Sequence, residues 1–173
     1  MSATILRFPQ RPDAGAAPAA DGPEAPIVAL VPRPSPPDAH THYLRGCAAE
    51  DRGDLSGAIR AYHAAIKTDP NHFGAHVNLG RIFHEAGRLQ DALVYYRIGR
   101  SINPHDVTAA FNVAVALDDL GAAETADAYR ETLRLAPTFA DAHYNLARLL
   151  EATGDHENAM HHLTRYRQLT ADR

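Results

Sequence analysis

The sequence contains very little cysteine and no long hydrophobic or basic run. Cys47 is the only cysteine, so no disulfide bond can form within the chain. No apolar stretch approaches the roughly 20 residues that span a bilayer. The net charge of -4 gives no polybasic surface for nucleic acid or for anionic membranes. We therefore expect a soluble, cytoplasmic protein that binds neither nucleic acid nor a membrane directly.

The sequence motifs of common enzyme classes are also missing. There is no phosphate-binding loop, no nucleophile elbow and no dinucleotide fingerprint. Histidine is frequent, but pairs such as His161 and His162 lack the partner cysteines or acidic ligands at fixed spacing that a zinc site needs. We expect no catalytic residue, no cofactor and no metal.

Proline is distributed unevenly and divides the chain in two. Nine of the 12 prolines fall within the first 37 residues, where alanine and glycine are also common. Such a segment buries too little apolar surface to fold alone, so residues 1–38 are predicted to be a disordered arm. Apolar patches at residues 5–8 and 27–31 are either incidental or short docking motifs, one of which would fold back onto the body.

The body of the chain repeats with a period of about 34 residues. Gly53, Gly87 and Gly121 are each 34 residues apart, and Gly154 follows after 33. Prolines and tyrosines show the same spacing of 34 and then 33: Pro70, Pro104, Pro137, and Tyr62, Tyr96, Tyr129. This predicts four units at residues 39–72, 73–106, 107–139 and 140–172, with one residue missing near the turn after Gly121.

Each unit is predicted to contain two helices. In the second unit the first helix runs from Phe73 to Ala86 and ends at Gly87, and the second helix ends before Pro104. Small residues recur where helices must approach closely, and the tyrosines fill the space beside them. Those positions hold Gly46, Gly80, Ala114 and Ala147 in the first helices, and Ala58, Ala92, Ala159 and either Thr125 or Ala126 in the second helices.

The joint spacing of these residues resembles that of tetratricopeptide repeats over about residues 39–172. The second unit carries it most fully, with Leu79, Gly80, Phe83, Gly87, Ala92, Tyr96 and Pro104. The resemblance implies an all-α fold, a right-handed superhelical stack of four helix-turn-helix units whose first helices line a concave groove. It also implies a scaffold or adaptor that binds another protein, as an extended peptide or a helix, in that groove.

A looser resemblance concerns the last part of the chain. Residues 141–148 and 163–170 look similar to repeat modules attached to bacterial helix-turn-helix regulators. This favours a bacterial origin. It also leaves an alternative function open: a regulatory subunit or transcription-linked regulator that acts through a partner protein.

The predicted partner-binding residues lie on the first helices, at positions that repeat from unit to unit. An asparagine amide both donates and accepts, and in the family such concave asparagines often contact a peptide backbone; the alternative is that they are simply solvated. The arginines either bind a partner carboxylate or pair within their own helix, for example Arg81 with Glu85. The acidic edge beyond them either indicates a ligand of mixed or basic character or is simply a solvated face. The predicted set is Tyr43, Asn78, Arg81, Phe111, Asn112, Tyr144, Asn145 and Arg148.

Two further predictions concern the histidines and the last helix. His42, His76 and His143 share one repeat position, which favours a packing role over metal binding. Apolar residues on the last helix would leave an exposed apolar surface at the end of the stack. The protein is therefore expected to be a monomer or a weak homodimer formed through that helix. The apolar residues are Met160, Leu163, Tyr166 and Leu169.

Overall fold

The computed structural model describes residues 37–171. Only residues 37 and 38 of the predicted disordered arm are among these residues. The rest of the arm, with both apolar patches, lies outside the described residues. The division of the chain into an arm and a repeat domain therefore stays a prediction.

Eight α-helices in four consecutive pairs make up the described residues, which contain no strand. The all-α stack of helix-turn-helix units is confirmed. The helices are α1 Ala39–Asp51, α2 Leu55–Thr68, α3 Phe73–Glu85, α4 Leu89–Ile102, α5 Val107–Asp119, α6 Thr125–Leu135, α7 Ala140–Ala152 and α8 His156–Thr170.

A glycine with positive φ forms the turn within each pair. The φ angles are 73° at Gly53, 72° at Gly87, 64° at Gly121 and 83° at Gly154. The residue after the glycine then donates its N–H to a carbonyl of the first helix, as from Arg88 to Phe83 at 2.8 Å. This closes the helix end, and only glycine adopts the required conformation without strain.

The third pair differs from the others in its turn. Helix α6 begins at Thr125 and has 11 residues, whereas α2 and α4 have 14. Thr125 is buried at the position that alanine occupies in the other second helices, while Ala126 is only partly buried. The Thr125 hydroxyl donates to the Ala122 carbonyl at 2.6 Å, so the buried side chain has its hydrogen bond.

Polar side chains cap the N-terminal ends of α3 and α5. Asp106 caps α5 by accepting from the Ala109 N–H at 2.7 Å. The N-cap of α3 is His72 and that of α7 is Phe139. The His72 Nδ1 caps α3 by accepting from the Ala75 N–H at 3.2 Å, although histidine is not among the residues usually preferred at N-caps.

Tyrosine rings packed against small residues form the centre of each of the first three units. Tyr62 and Tyr129 are fully buried and Tyr96 is nearly so. A Cβ atom at Gly46 would lie 2.4 Å from the Tyr62 ring, and one at Gly80 would lie 2.5 Å from the Tyr96 ring. Helix and ring therefore meet at a distance that leaves no room for a side chain.

Contacts between equivalent helices arrange the units in two layers. Arg81 of α3 pairs with Glu50 of α1, and His84 of α3 lies 2.7 Å from Asp119 of α5. In the other layer Arg100 of α4 pairs with Glu131 of α6 at 2.9 Å. The first helices thus lie side by side, as do the second helices. Within residues 37–171, no helix is both long and apolar enough to span a bilayer.

Candidate functional site: the first-helix face

The surface formed by α1, α3, α5 and α7, here called the first-helix face, carries all eight predicted binding residues. All eight positions fall in three repeated slots, so neighbouring units place them in rows across the face. The structure therefore brings these residues onto one surface. Whether a partner touches them stays a prediction.

The asparagine row has an internal role at one end. The Asn78 amide donates to the Tyr62 hydroxyl at 3.0 Å and so links α3 to the preceding unit. Burial raises the pKa of Tyr129, and the Asn145 amide beside it opposes that shift. Asn112 makes no side-chain hydrogen bond to any other described residue. An amide has two N–H groups and a carbonyl, so Asn78 also keeps capacity for a ligand.

Both predicted binding arginines of the face, Arg81 and Arg148, are already paired with carboxylates. Arg81 donates to Glu85 of its own helix at 2.8 Å and also to Glu50 of the preceding unit. Arg148 donates to Asp118, which occupies the same repeat position as Glu50. The intrahelical alternative is therefore realised for Arg81, but the pairing between units escaped the sequence interpretation. The shared register of Glu50 and Asp118 was the signal that pointed to it.

The third unit replaces this arginine with Val115. The interface between the second and third units uses a different pair, His84 with Asp119 at 2.7 Å. Each neighbouring pair of first helices is thus joined by one polar contact on this face. Where the third unit lacks the arginine, a histidine–aspartate pair takes the place of the arginine–carboxylate pair.

The aromatic residues of the face differ in how open they are. The Tyr43 ring packs 4.9 Å from His72, and the Phe111 ring packs 4.8 Å from Phe139. Both partners are the N-cap residues of the first helix that follows, so these rings are partly covered. Among the aromatic rings of residues 37–171, Tyr144 packs only against Tyr166 of its own unit, at 5.2 Å, and it remains 47% exposed. Tyr144 is therefore the aromatic side chain most accessible to a ligand.

Exposed carboxylates follow the C-terminal ends of the first helices and are called the acidic rim below. They are Asp51, Glu85, Asp119 and Glu151. The side chains of Glu85, Asp119 and Glu151 are 56%, 50% and 63% exposed. Because Arg81 and Arg148 are neutralised by partners, the rim leaves this edge with a negative potential.

The histidines and the cysteine take part in packing contacts. A ring nitrogen of His76 lies 2.9 Å from the Pro70 carbonyl, and the equivalent contact joins His143 to Pro137 at 3.1 Å. Cys47 is half-buried and accepts a hydrogen bond from the Tyr62 hydroxyl at 3.5 Å. The part of the chain that the structure describes contains no cluster of three or more His, Cys, Asp or Glu residues suited to a metal ion.

The chain is similar to known proteins in sequence and in fold. Two models described as tetratricopeptide repeat match residues 43–101 and 128–161, just over half of the chain together. A crystal structure of MamA superposes with a TM-score of 0.72 at 23% identity, covering 77% of this chain and 73% of that one.

Two curated relatives match at the sequence level. The photosystem I assembly protein Ycf3 of Acaryochloris marina is 32% identical over 46% of this chain and 50% of its own length. The probable peptide N-acetylglucosaminyltransferase SPINDLY of Hordeum vulgare is 33% identical over 51% of this chain and 10% of its own. The chain thus spans half or less of these relatives. Together with the repeat register and the paired helices, the matches show that the chain belongs to the tetratricopeptide repeat family, whose members mediate protein–protein interactions.

Proposed function

We propose that this protein is a non-catalytic adaptor whose first-helix face binds an extended, basic segment of another protein. The observation that carries this proposal is the acidic rim, which lies beside the aromatic and amide rows while the arginines of the face are internally paired. A relative named as an assembly protein, Ycf3, is consistent with a scaffold role.

Charge argues for a basic segment over an acidic one. A carboxylate ligand would have to compete with Glu50 and Glu85 for Arg81, and with Asp118 for Arg148. A lysine or arginine ligand meets weaker competition, because Glu85 shares Arg81 with Glu50, and Asp119 and Glu151 face imidazoles that are charged only when protonated. Complementary charge of this kind mainly raises the association rate and the specificity, and added salt weakens it.

The amide and aromatic rows argue for an extended backbone. Asn112, in the middle of the face, has both its donors and its acceptor free within residues 37–171, and the half-buried Phe111 ring lies beside it in sequence. Such an amide satisfies one peptide group while the neighbouring ring covers an apolar side chain. The exposed Tyr144 offers a second apolar contact one unit further along.

Peptide binding by the full-length chain tests the proposal. A fluorescent peptide that alternates lysine with apolar residues is compared with its glutamate counterpart by fluorescence anisotropy at low and high salt. We expect only the lysine peptide to bind, with an affinity that falls as salt rises. Asp119→Lys should weaken binding by about tenfold, because a rim carboxylate becomes a repelling charge.

The matched control is Asp127→Lys, which reverses an exposed carboxylate of the second-helix layer. It should leave peptide affinity unchanged. Equal binding of both peptides, or equal losses in the two variants, would show that the rim does not select the ligand. The regulatory alternative uses the same face and differs only in the partner, so this experiment applies to it as well. A cytoplasmic location and a bacterial origin stay predictions.

A further inference from the structure

The internal interfaces of the stack pair a tyrosine with an asparagine. Tyr62 in the second helix of one unit receives a hydrogen bond from Asn78 in the first helix of the next, at 3.0 Å. The same two repeat positions hold Tyr96 with Asn112, and Tyr129 with Asn145. The hydrogen bond is present at the first interface, and each further interface between described units keeps a tyrosine and an asparagine at the same two positions.

Leucine replaces both members of this pair at the two outer faces of the stack. Leu44 of α1 stands in the asparagine position, and Leu163 of α8 stands in the tyrosine position. Leu44 is 51% exposed. Leu44 would not match a tyrosine, and Leu163 would not match an asparagine, because neither leucine can form the hydrogen bond. The two leucines match one another, since together they form an apolar contact.

The face formed by α7 and α8 is an unfilled copy of an internal interface. A cleft of about 290 Å³ lies there, lined by Tyr144, Ala147, Met160 and Leu163 among others. Met160 is 60% exposed. Its counterparts Ile59, Leu93 and Ala126 are partly buried against the core of the stack. Among residues 37–171, no helix covers this cleft.

We propose that the α7–α8 face binds helix α1 of a second copy of this chain, head to tail, with Leu163 against Leu44. A repeat protein with asparagine in the Leu44 position would bring an amide against Leu163 without a hydrogen-bond partner, which is costly when buried. A second copy brings leucine instead. This inference does not depend on the peptide-binding proposal, because it uses the ends of the stack.

Charge makes this contact weaker than an internal one. Cys47 occupies the arginine position of α1, so Glu151 would find no ion-pair partner across the contact. Asp51 would lie nearby and repel it. Salt screens this repulsion, so association should strengthen as salt rises. The contact is heterologous and does not close on itself, so assemblies lengthen with concentration.

Sedimentation velocity on the full-length chain provides the first test. We expect the average sedimentation coefficient to rise from low-micromolar to near-millimolar protein, and to rise more at high salt. Leu44→Asp and Met160→Asp each place a charge on one of the two faces, and each variant alone should stay monomeric. The control Val94→Asp changes a 56% exposed residue of α4 and should assemble like the parent chain.

Mixing the two blocked variants gives the decisive result. Each retains one intact face, so an equal mixture should form a dimer of twice the monomer mass and nothing larger. A parent chain that stays monomeric at every concentration overturns the proposal, as does a mixture without dimer. A Leu44→Asp variant that still dimerises alone also overturns it, because the contact would then join two α8 helices.

The register of the contact has its own test. Leu163→Tyr should weaken assembly by about tenfold, because a buried hydroxyl would face Leu44. Adding Leu44→Asn should recover most of the loss by rebuilding the internal tyrosine–asparagine pair. The first substitution is compatible with the fold, since Ala114 already packs in one cluster with Tyr129. Circular dichroism checks helicity, and a double variant weaker than the single one overturns the proposed register.

Discussion

At the scale of single residues, Gly46 and Gly80 lie inside helices, where glycine is normally disfavoured. Glycine inside a helix costs about 1 kcal/mol relative to alanine. Here a Cβ atom would lie too close to the opposite tyrosine ring, at 2.4 Å for Gly46 and 2.5 Å for Gly80. Close packing of the ring therefore outweighs the loss of helix propensity.

Gly80→Ala should lower the free energy of unfolding by about 1–3 kcal/mol, because the methyl group overpacks the Tyr96 ring. Urea denaturation followed by circular dichroism measures the loss. The matched variant Gly80→Ala with Tyr96→Leu copies the pair Ala147 and Leu163 of the last unit and should recover part of the stability. A single variant that is more stable than the parent would show that the ring moves aside freely.

At the scale of helices, neighbouring units are joined by polar contacts as well as by apolar packing. Glu50 is only 19% exposed and depends on Arg81 for its charge partner. His143 contacts His162 of α8 through ring nitrogens 2.9 Å apart, so one imidazole donates a hydrogen bond to the other across the last two helices.

Arg81→Gln should destabilise the protein by about 1–3 kcal/mol, because a largely buried carboxylate loses its partner. Thermal and urea unfolding measure the change. Arg97→Gln is the control, since its pair with Glu124 at 3.4 Å is exposed on both sides. That substitution should change stability by less than about 0.5 kcal/mol. Equal effects would mean that burial of Glu50 does not matter.

Acid should weaken the packing of α7 on α8. Burial lowers the pKa of both His143 and His162, and the neighbouring His161 adds to this, as do Arg165 for His143 and Arg130 for His162. The folded state thus favours neutral rings. Their contribution is complete above the unfolded pKa of about 6.5 and is lost as pH falls below it.

The melting temperature should therefore fall between neutral pH and about pH 5. His162→Tyr is the matched variant, because Tyr95 occupies this position opposite His76 in the second unit. It removes one of the two titrating rings and should reduce the pH dependence. An unchanged slope in the variant would assign the acid effect to other groups.

At the scale of the whole molecule, the four units form a linear array in which each packs only on its neighbours. The outer helices have fewer buried residues than the inner ones. In α8 only Ala159 is buried, and in α1 only Gly46 and Ala49, whereas α3 and α5 each bury six residues. Stability should thus be lowest at the two ends.

Amide hydrogen exchange should show this gradient. We expect α3, α4 and α5 to exchange slowest, and α1 and α8 to exchange first through opening of the ends. Mass spectrometry of proteolytic fragments measures the protection of each helix. Uniform protection along residues 39–170 would mean that the stack opens only as one cooperative unit.

The fold was predictable because its determinants repeat along the chain. Glycine at each turn and a small residue opposite each tyrosine are local requirements, so the period predicts the helices. The partners of Arg81 and Arg148 were not predicted, since they lie in the preceding unit and depend on how far one helix is shifted along another. The choice between Thr125 and Ala126 depended in the same way on the geometry of a shortened turn.

The tyrosines buried between the helices give the protein an optical label of its own. The chain has no tryptophan, so its near-ultraviolet signal comes mainly from seven tyrosines. Burial raises the pKa of Tyr96 to about 12 and also raises the pKa of Tyr62 and Tyr129. In alkali these phenols keep their protons while the stack is closed. The delayed appearance of phenolate absorbance therefore reports the opening of the first three units without any added dye.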